Sequence, residues 1–189
     1  MEVLSSVFSL GVSIRGYNED VLKELLREQH PEAVYITELT KEEFESSNEL
    51  SKSYEVLTDG LGTELVPVGV DTSELEKYRE KYIKENLSTP ELSIKRNMLE
   101  LIDDTIYNYL AQYWKGPETV NSEVTDSLFR AKHKLFSSVF YELENETWEK
   151  QNSTILNAIK NTSPTEKSVI LSPVESRYWF KDHLDYLFS

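Results

Sequence analysis

The sequence predicts an α/β fold with about four mostly parallel strands, flanking helices, and a long helical hairpin inserted between the third and fourth strands. Four short segments are apolar and rich in β-branched residues. The first three alternate with helical patterns, which is typical of parallel strands joined by right-handed crossovers. Helical spacing then continues alone over about residues 72–160. We therefore interpret residues 1–189 as a single α/β domain with a helical insertion.

The first strand is predicted within residues 3–12, which are short, apolar and β-branched. Asn18 is then placed to cap a helix that carries Glu19 and Asp20 in its first turn, where acidic groups favour the helix dipole. Pro31 ends this helix.

Residues 33–39 form the second predicted strand, and Thr40 caps the weaker helical pattern that follows. The third strand is predicted over residues 64–71. Its Pro67 favours an edge position or the start of a strand, because proline donates no hydrogen bond to a neighbouring strand.

The insertion begins with a helix in which Asp71 and Glu74 have the spacing of a capping box. Thr89 caps a second helix, with proline at its first position. After a Gly-Pro turn, one long helix is predicted over about residues 122–160. Its apolar face is predicted to contain Val124, Leu128, Ala131, Leu135, Val139 and Leu143.

The chain continues with a fourth strand at residues 168–172 and a helix over about 175–187. In open parallel sheets, ligands bind beyond the carboxyl ends of the strands. Topology therefore selects Gly11, Ser13, Arg15, Glu38, Asp71, Glu175, Ser176 and Arg177 as candidate site residues.

Composition limits the function classes. The formal charge of −14 argues against nucleic acid or an anionic membrane as the partner. The absence of Cys excludes disulfides, thiolate catalysis and cysteine-rich zinc sites. No signal peptide or membrane span is recognised, so a cytoplasmic location is predicted. A protein or a small molecule remains as partner, and the helical insertion allows a homodimer.

Glu38 and Glu175 each follow a predicted strand. If they face one cleft, they could share general acid and base work or bind a divalent metal ion. The alternative is that Glu38 caps the next helix and Glu175 favours the dipole of the last one. No carboxylate-rich loop or paired-histidine motif indicates a catalytic metal, and no particular cofactor is predicted.

Ser13 and Ser176 are candidate nucleophiles, although neither lies in a G-x-S-x-G elbow. A serine nucleophile needs a nearby base, usually histidine. None of His30, His133 and His183 follows a predicted strand, so a catalytic triad is not expected.

Five stretches of the sequence follow one another in a characteristic order. The first is a strand, turn, helix and second strand that ends in an acidic residue, and the second is the third strand. A long helical stretch, a Trp-Glu helix and a last strand leading into Glu-Ser-Arg-Tyr-Trp follow. The five stretches occupy residues 9–39, 66–71, 72–160, 148–161 and 168–184. This series resembles the TraB/Tiki-type superfamily, which includes haem-uptake ChaN-like and erythromycin-esterase-like proteins. The resemblance implies a metal-dependent or acid–base site built partly by histidines in the first and last turns.

The departures from that pattern concern the histidines. The first turn offers Ser13, and the last offers Pro173 and Ser176, where the family has Gly and His. Gln151 replaces an arginine of the family, while Asn152 matches. Because a hydroxyl is a poor base and a poor metal ligand, the resemblance implies a degenerate site.

Four residues still match the family pattern, namely Glu38, Glu175, Arg177 and Tyr178. The leading hypothesis is a catalytically degenerate TraB/Tiki-like pseudoenzyme that acts by ligand or protein binding, with Arg15, Arg177, Tyr178 and Asp71 in the binding region. One alternative is an active metal- or carboxylate-dependent hydrolase of ester or peptide-like bonds. The other is a small acidic interaction protein of the immunity or antitoxin type.

Overall fold

A computed structural model describes residues 1–86 and 89–189. Within them, four parallel strands form one sheet in the order β1-β4-β2-β3. The strands are β1 Glu2–Ser5, β2 Ala33–Ile36, β3 Glu64–Pro67 and β4 Val169–Ser172. This confirms the α/β class and the mostly parallel sheet. Positions 87–88 of the predicted helical insertion lie outside the described residues.

The strand at the centre of the sheet is β4, which pairs with β1 on one side and β2 on the other. All four of its residues are buried, as expected for a strand covered on both faces. β3 lies at an edge, paired only with β2 in this sheet, which confirms the position expected from Pro67.

Helices surround the sheet, and most of the described residues between β3 and β4 are helical. The first three helices are α1 Glu19–Gln29, α2 Lys41–Glu45 and α3 Glu49–Thr58. Between β3 and β4 the structure has α4 Ser73–Asn86, α5 Pro90–Tyr113, α6 Pro117–Val120, α7 Glu123–Val139, α8 Tyr141–Glu144, a π-helical turn Asn145–Glu149 and α9 Lys150–Asn161. After β4 come α10 Val174–Asp182 and α11 Leu184–Leu187. No helix in the described ranges has the length and apolarity needed to cross a membrane.

Three of the predicted helix caps are confirmed. The Asn18 side chain accepts a hydrogen bond from the Val21 backbone N–H at the start of α1. Thr40 forms a capping box with Glu43 at the start of α2. Thr89 caps α5, whose first residue is Pro90. These signals were readable because each depends on residues within one turn of the chain.

Several elements are shorter than predicted. The first strand ends at Ser5 and a 3₁₀ turn, Val7–Ser9, follows it, with the Ser6 hydroxyl accepting from the Phe8 N–H. The third strand ends at Pro67, beyond which the Gly69 N–H turns to the carbonyl of Leu39. The single helix predicted after Thr40 is divided between α2 and α3.

The long helix predicted over residues 122–160 is wrong, because the chain breaks at Phe140. Its backbone angles there are φ −128° and ψ 53°, which are not helical. Three shorter segments, α8, the π-helical turn and α9, then take the place of the predicted second half. As a result α7 packs against α5 and α10, while α9 buries Ile155, Leu156 and Ile159 in the core.

The predicted apolar face of this region is wrong at three of its six positions, while Leu128, Val139 and Leu143 are half-buried. Val124, Ala131 and Leu135 are exposed. The buried face of α7 is instead formed by Thr125, Asp126, Phe129, Lys132 and His133. A helix that buries three charged or titratable side chains must supply each with a partner, because an unpaired buried charge is costly.

The loop between β1 and α1 packs closely on the turn between α5 and α6. A Cβ atom added to Gly16 would overlap the backbone carbonyl of Lys115. Gly16 is therefore required by the close approach of two backbones.

Candidate functional site

The first group of predicted site residues lies on exposed loops. Ser13 and Arg15 are exposed in the segment between the 3₁₀ turn and α1. Asp71 is exposed just before α4, and its carboxylate accepts from the Ser73 N–H at 2.9 Å. That backbone hydrogen bond lowers the pKa of Asp71. The predicted capping box with Glu74 is replaced by this tight turn, and Glu74 pairs with Lys77.

Glu38 is half-buried at the carboxyl end of β2 and bonds to α3. The Tyr54 hydroxyl donates to its carboxylate and also lies 2.9 Å from the Ser6 hydroxyl. Burial, together with the negative charge of Glu38, raises the pKa of Tyr54 well above its ordinary value. Glu38 therefore belongs to a hydrogen-bond chain that links β2, α3 and the end of β1.

Ser176 and Arg177 are buried in the first half of α10. The Ser176 N–H donates to the Pro173 carbonyl at 3.0 Å. The Arg177 guanidinium donates to both carboxylate oxygens of Asp126 at 2.6 Å and to the Val3 carbonyl at 3.0 Å. The charge of Arg177 is thus matched inside the protein, where it ties α10 to α7 and β1.

The two candidate carboxylates enter separate networks. No hydrogen bond or ion pair joins Glu38 to Glu175 within the ranges that the structure describes. Glu175 turns instead towards the helices that precede β4.

Glu175 lies in a cluster assembled from α5, α7 and α10. Its Oε1 accepts from the Tyr107 hydroxyl, and its Oε2 lies 2.9 Å from the Lys132 ammonium. The same ammonium lies 2.6 Å from Oδ1 of Asp103. The Lys132 side chain is only 9% exposed, so both carboxylates compensate a charge that water hardly reaches.

The pKa values in this cluster follow from burial and pairing. Burial opposes ionisation of Glu175, but Lys132 and the Tyr107 hydrogen bond outweigh it and hold the Glu175 pKa below its ordinary value. Burial likewise opposes the charge on Lys132, but Glu175 and Asp103 raise the Lys132 pKa. Burial and the charge of Glu175 raise the pKa of Tyr107 far above its usual range. Glu175 and Lys132 are therefore both ionised at neutral pH.

His133, the next residue on α7, has one satisfied and one unsatisfied ring nitrogen. Its Nδ1 bonds to the carboxylate of Glu144, and its ring stacks on Trp148 with 3.8 Å between centroids. Its Nε2 is buried, has no hydrogen-bond partner, and lies 3.8 Å from Glu175 Oε2. Because a carboxylate only accepts, Nδ1 carries the proton and the Nε2 of a neutral ring is a free acceptor.

The break at Phe140 explains how His133 gains these neighbours. Glu144 ends α8, and Trp148 lies on the π-helical turn that follows. Both side chains reach back to α7 because the chain has turned there. π-Helical turns often occur at functional sites, and this one supplies a wall of the site.

A cavity of ≈ 320 Å³ lies beside the cluster. Its polar lining consists of Arg79, Arg96, Glu100, Asp103, Lys132, His133, Glu144, Thr147 and Glu175. Its apolar lining consists of Ile83, Leu99, Phe136, Phe140, Leu143 and Trp148. Glu175 and His133 therefore line a space of the size that binds small molecules.

A second cavity, of ≈ 350 Å³, shares His133, Glu144 and Trp148 with the first. Tyr178 lines it, stacked on Trp148 at 5.9 Å, with Arg130 5.1 Å from the centre of its ring. Of the residues predicted for binding, Tyr178 lines one of these two cavities.

Sequence reasoning missed Asp103, Tyr107, Lys132, His133 and Glu144 as site residues. A signal was available for two of them, since Phe129 and Phe136 flank Lys132 and His133 at helical spacing. That spacing places the two polar residues on a face that the phenylalanines bury.

The described residues contain no group of three or more His, Asp or Glu side chains arranged to hold a metal ion.

Comparison of the chain with family models, with curated proteins and with solved structures finds no match in any of the three. The resemblance to the TraB/Tiki-type superfamily therefore stays a prediction.

Proposed function

We propose that this protein is a non-catalytic, ligand-binding α/β protein whose site is the cavity beside Glu175. The observation that carries the proposal is the unpartnered Nε2 of His133, buried where the cavity begins. An unsatisfied buried polar atom costs about 1–3 kcal/mol, and native proteins rarely keep one without a use. A bound molecule that donates a hydrogen bond to Nε2 would remove that cost.

The lining supports the same proposal. Apolar side chains such as Leu99, Phe136 and Phe140 would contact the body of a ligand, and the buried polar cluster would orient its polar end. The cluster is already fixed by Tyr107 and Lys132, so it needs little reorganisation when a ligand binds.

The proposal keeps the idea of a degenerate TraB/Tiki-like protein but moves the binding site. The strand-end groups Glu38 and Arg177 have partners inside the protein. Glu175 is the strand-end residue that joins a cavity, and it does so through helices of the insertion.

A fragment screen by ligand-observed NMR tests the proposal with two variants. Leu143→Trp places a larger ring in the cavity wall, and Glu142→Trp adds the same ring at an exposed position of α8. We expect fragments that bind the wild type and Glu142→Trp but not Leu143→Trp. A screen without hits, or hits that survive Leu143→Trp unchanged, would refute a ligand site in this cavity.

A second candidate is hydrolysis of ester bonds, with His133 as general base. The contact that favours it is the bond from Glu144 to His133 Nδ1, which leaves Nε2 free to accept a proton from water. Hydrolysis of p-nitrophenyl esters should then fall about 10²-fold or more in His133→Phe and stay unchanged in His183→Phe. Equal rates in the two variants would exclude this candidate.

A further inference from the structure

The charges around His133 Nε2 define what the cavity can hold. Three carboxylates, from Asp103, Glu144 and Glu175, line the cavity floor against the single ammonium of Lys132. At the rim Arg96 is paired with Glu100 at 2.7 Å, and the exposed Arg79 reduces the excess of negative charge without removing it. An anionic ligand group would be repelled at the floor, whereas a cationic group would reduce the excess of negative charge.

The hydrogen-bond acceptors of the cavity indicate which kind of cationic ligand group fits. In the tautomer that Glu144 selects, His133 Nε2 accepts, and Glu175 Oε2 lies 3.8 Å from it. Both acceptors can be reached from one nitrogen that carries several N–H groups. A primary ammonium has three donors and no acceptor, which matches this arrangement, while a quaternary ammonium has the charge without the donors.

The apolar lining describes the rest of the ligand. Phe136, Phe140 and Trp148 stand around the polar floor. Aromatic rings of this kind attract cations and bury apolar groups.

We infer that the cavity binds a primary ammonium compound with an apolar body, the ammonium group donating to His133 Nε2 and Glu175. The inference rests on the proposed function and specifies its ligand. Its second support, independent of the acidic cluster, is His133 itself, whose side chain is only 9% exposed and whose Nε2 has no partner.

Three matched probes separate charge from hydrogen bonding. Benzylammonium carries charge and donors, benzyltrimethylammonium carries charge alone, and benzyl alcohol carries a donor without charge. Their dissociation constants would be measured by ¹H–¹⁵N NMR titration of the whole chain. We expect benzylammonium to bind at least about tenfold more tightly than either of the others, since charge-assisted hydrogen bonds are the stronger ones.

Variants assign that preference to named atoms. His133→Phe keeps a ring to stack on Trp148 but removes both nitrogens, and Glu175→Gln keeps an acceptor for Tyr107 but removes the charge. Each should lower benzylammonium affinity about tenfold or more. His183→Phe is the control, because His183 stacks on Trp179 outside the cavity lining and should leave the affinity unchanged.

The outcomes separate this inference from the proposed function. Equal binding of all three probes, lost in Leu143→Trp, would leave a ligand cavity and overturn the ammonium class. Benzylammonium affinity that is unchanged in both His133→Phe and Glu175→Gln would overturn it too. If none of the probes binds but screened fragments bind the wild type and not Leu143→Trp, the ammonium class alone is overturned. If the screen yields no such fragments, both the ammonium class and the proposed ligand-binding function are overturned.

Discussion

Lys132 is the side chain on which the charged cluster depends. Its ammonium lies between Asp103 and Glu175, both of which also line the cavity. Without it, two carboxylates on neighbouring helices would face each other with no compensating charge. Lys132 is thus part of the site and also holds α5, α7 and α10 together.

Replacing Lys132 by Met should therefore destabilise the fold strongly. Removing one partner of a buried ion pair costs up to about 3–5 kcal/mol, and here two half-buried carboxylates would lose the charge that compensates them. Urea unfolding would measure the free-energy change. Lys134→Met, at an exposed position of the same helix, should change stability by less than about 0.5 kcal/mol, and equal effects of the two would contradict this role.

Glu175 should make part of the stability depend on acid pH. Its pKa in the folded protein is lowered, so it stabilises the fold above the unfolded-state pKa of about 4.3 and loses that contribution as the pH falls through the folded pKa. The stability difference between wild type and Glu175→Gln should be constant above about pH 5.5 and shrink as the pH falls below about 4. Unfolding curves from pH 3 to 7 would show this.

Glu146→Gln, at an exposed position of the π-helical turn, serves as control and should show almost no such change. A wild-type advantage over Glu175→Gln that grew in acid would contradict the sign of the Glu175 pKa shift.

At the level of single residues, the sequence allowed Glu175 to be selected but not its neighbours. It follows a strand, which topology identifies as a position for ligand contacts. Asp103, Tyr107 and Glu144 come from helices whose rotation and break point decide which side chains meet. Those features depend on tertiary packing, and no local pattern in the sequence reports them.

At the scale of elements, α7 shows why its buried face was chosen wrongly. Two apolar stripes compete on this helix, one through Val124 and Leu135 and the other through Phe129 and Phe136. The second stripe is buried although it contains Lys132 and His133. Carboxylates of α5 and α10 pair with Lys132, and Glu144 of α8 pairs with His133. Counting apolar residues alone favours the first stripe.

At Gly16, in the loop between β1 and α1, even the methyl group of alanine should lower the stability of the fold. Gly16→Ala would force the Gly16 loop and the Lys115 backbone apart and should cost about 1–3 kcal/mol, as overpacking does. Gly116 lies across the same contact, yet a Cβ there would meet the Glu118 side chain at an ordinary 3.4 Å.

Gly116→Ala is therefore the matched control, and thermal unfolding of both variants would compare them. If the two alanine variants melted at the same temperature, the close approach of the two backbones would not be a stability determinant.

The whole molecule carries a formal charge of −14, and its self-repulsion should oppose folding. Salt screens repulsion between exposed charges with a Debye length of about 10 Å at 0.1 M. The unfolding temperature should therefore rise as NaCl or KCl is increased from about 20 to 300 mM. Exposed pairs such as Lys77 with Glu74 weaken over the same range, but each contributes little.

Equal responses to the two salts would assign the rise to screening rather than to binding of one cation. An unfolding temperature that fell with both would show that attractive ion pairs outweigh the net repulsion.

At this scale the sequence predicted the fold class, but for the order of the strands it indicated only that β3 lies at an edge. Alternation of strands and helices indicated a parallel sheet, and Pro67 indicated the edge. Nothing local indicated that β4 lies between β1 and β2, because strand order is decided by contacts between distant segments.

The central position of β4 has a consequence for how the chain is made on the ribosome. β1 is the first strand synthesised, yet its neighbour in the described sheet is β4, the last of the four. Until Val169–Ser172 has left the ribosomal tunnel, β1 has no strand to pair with, and β2 has only β3. Closing such a long loop is slow, so the apolar β1 stays unpaired until β4 has been synthesised. A segment of this kind is a natural substrate for chaperones that shield apolar strands before their partners are made.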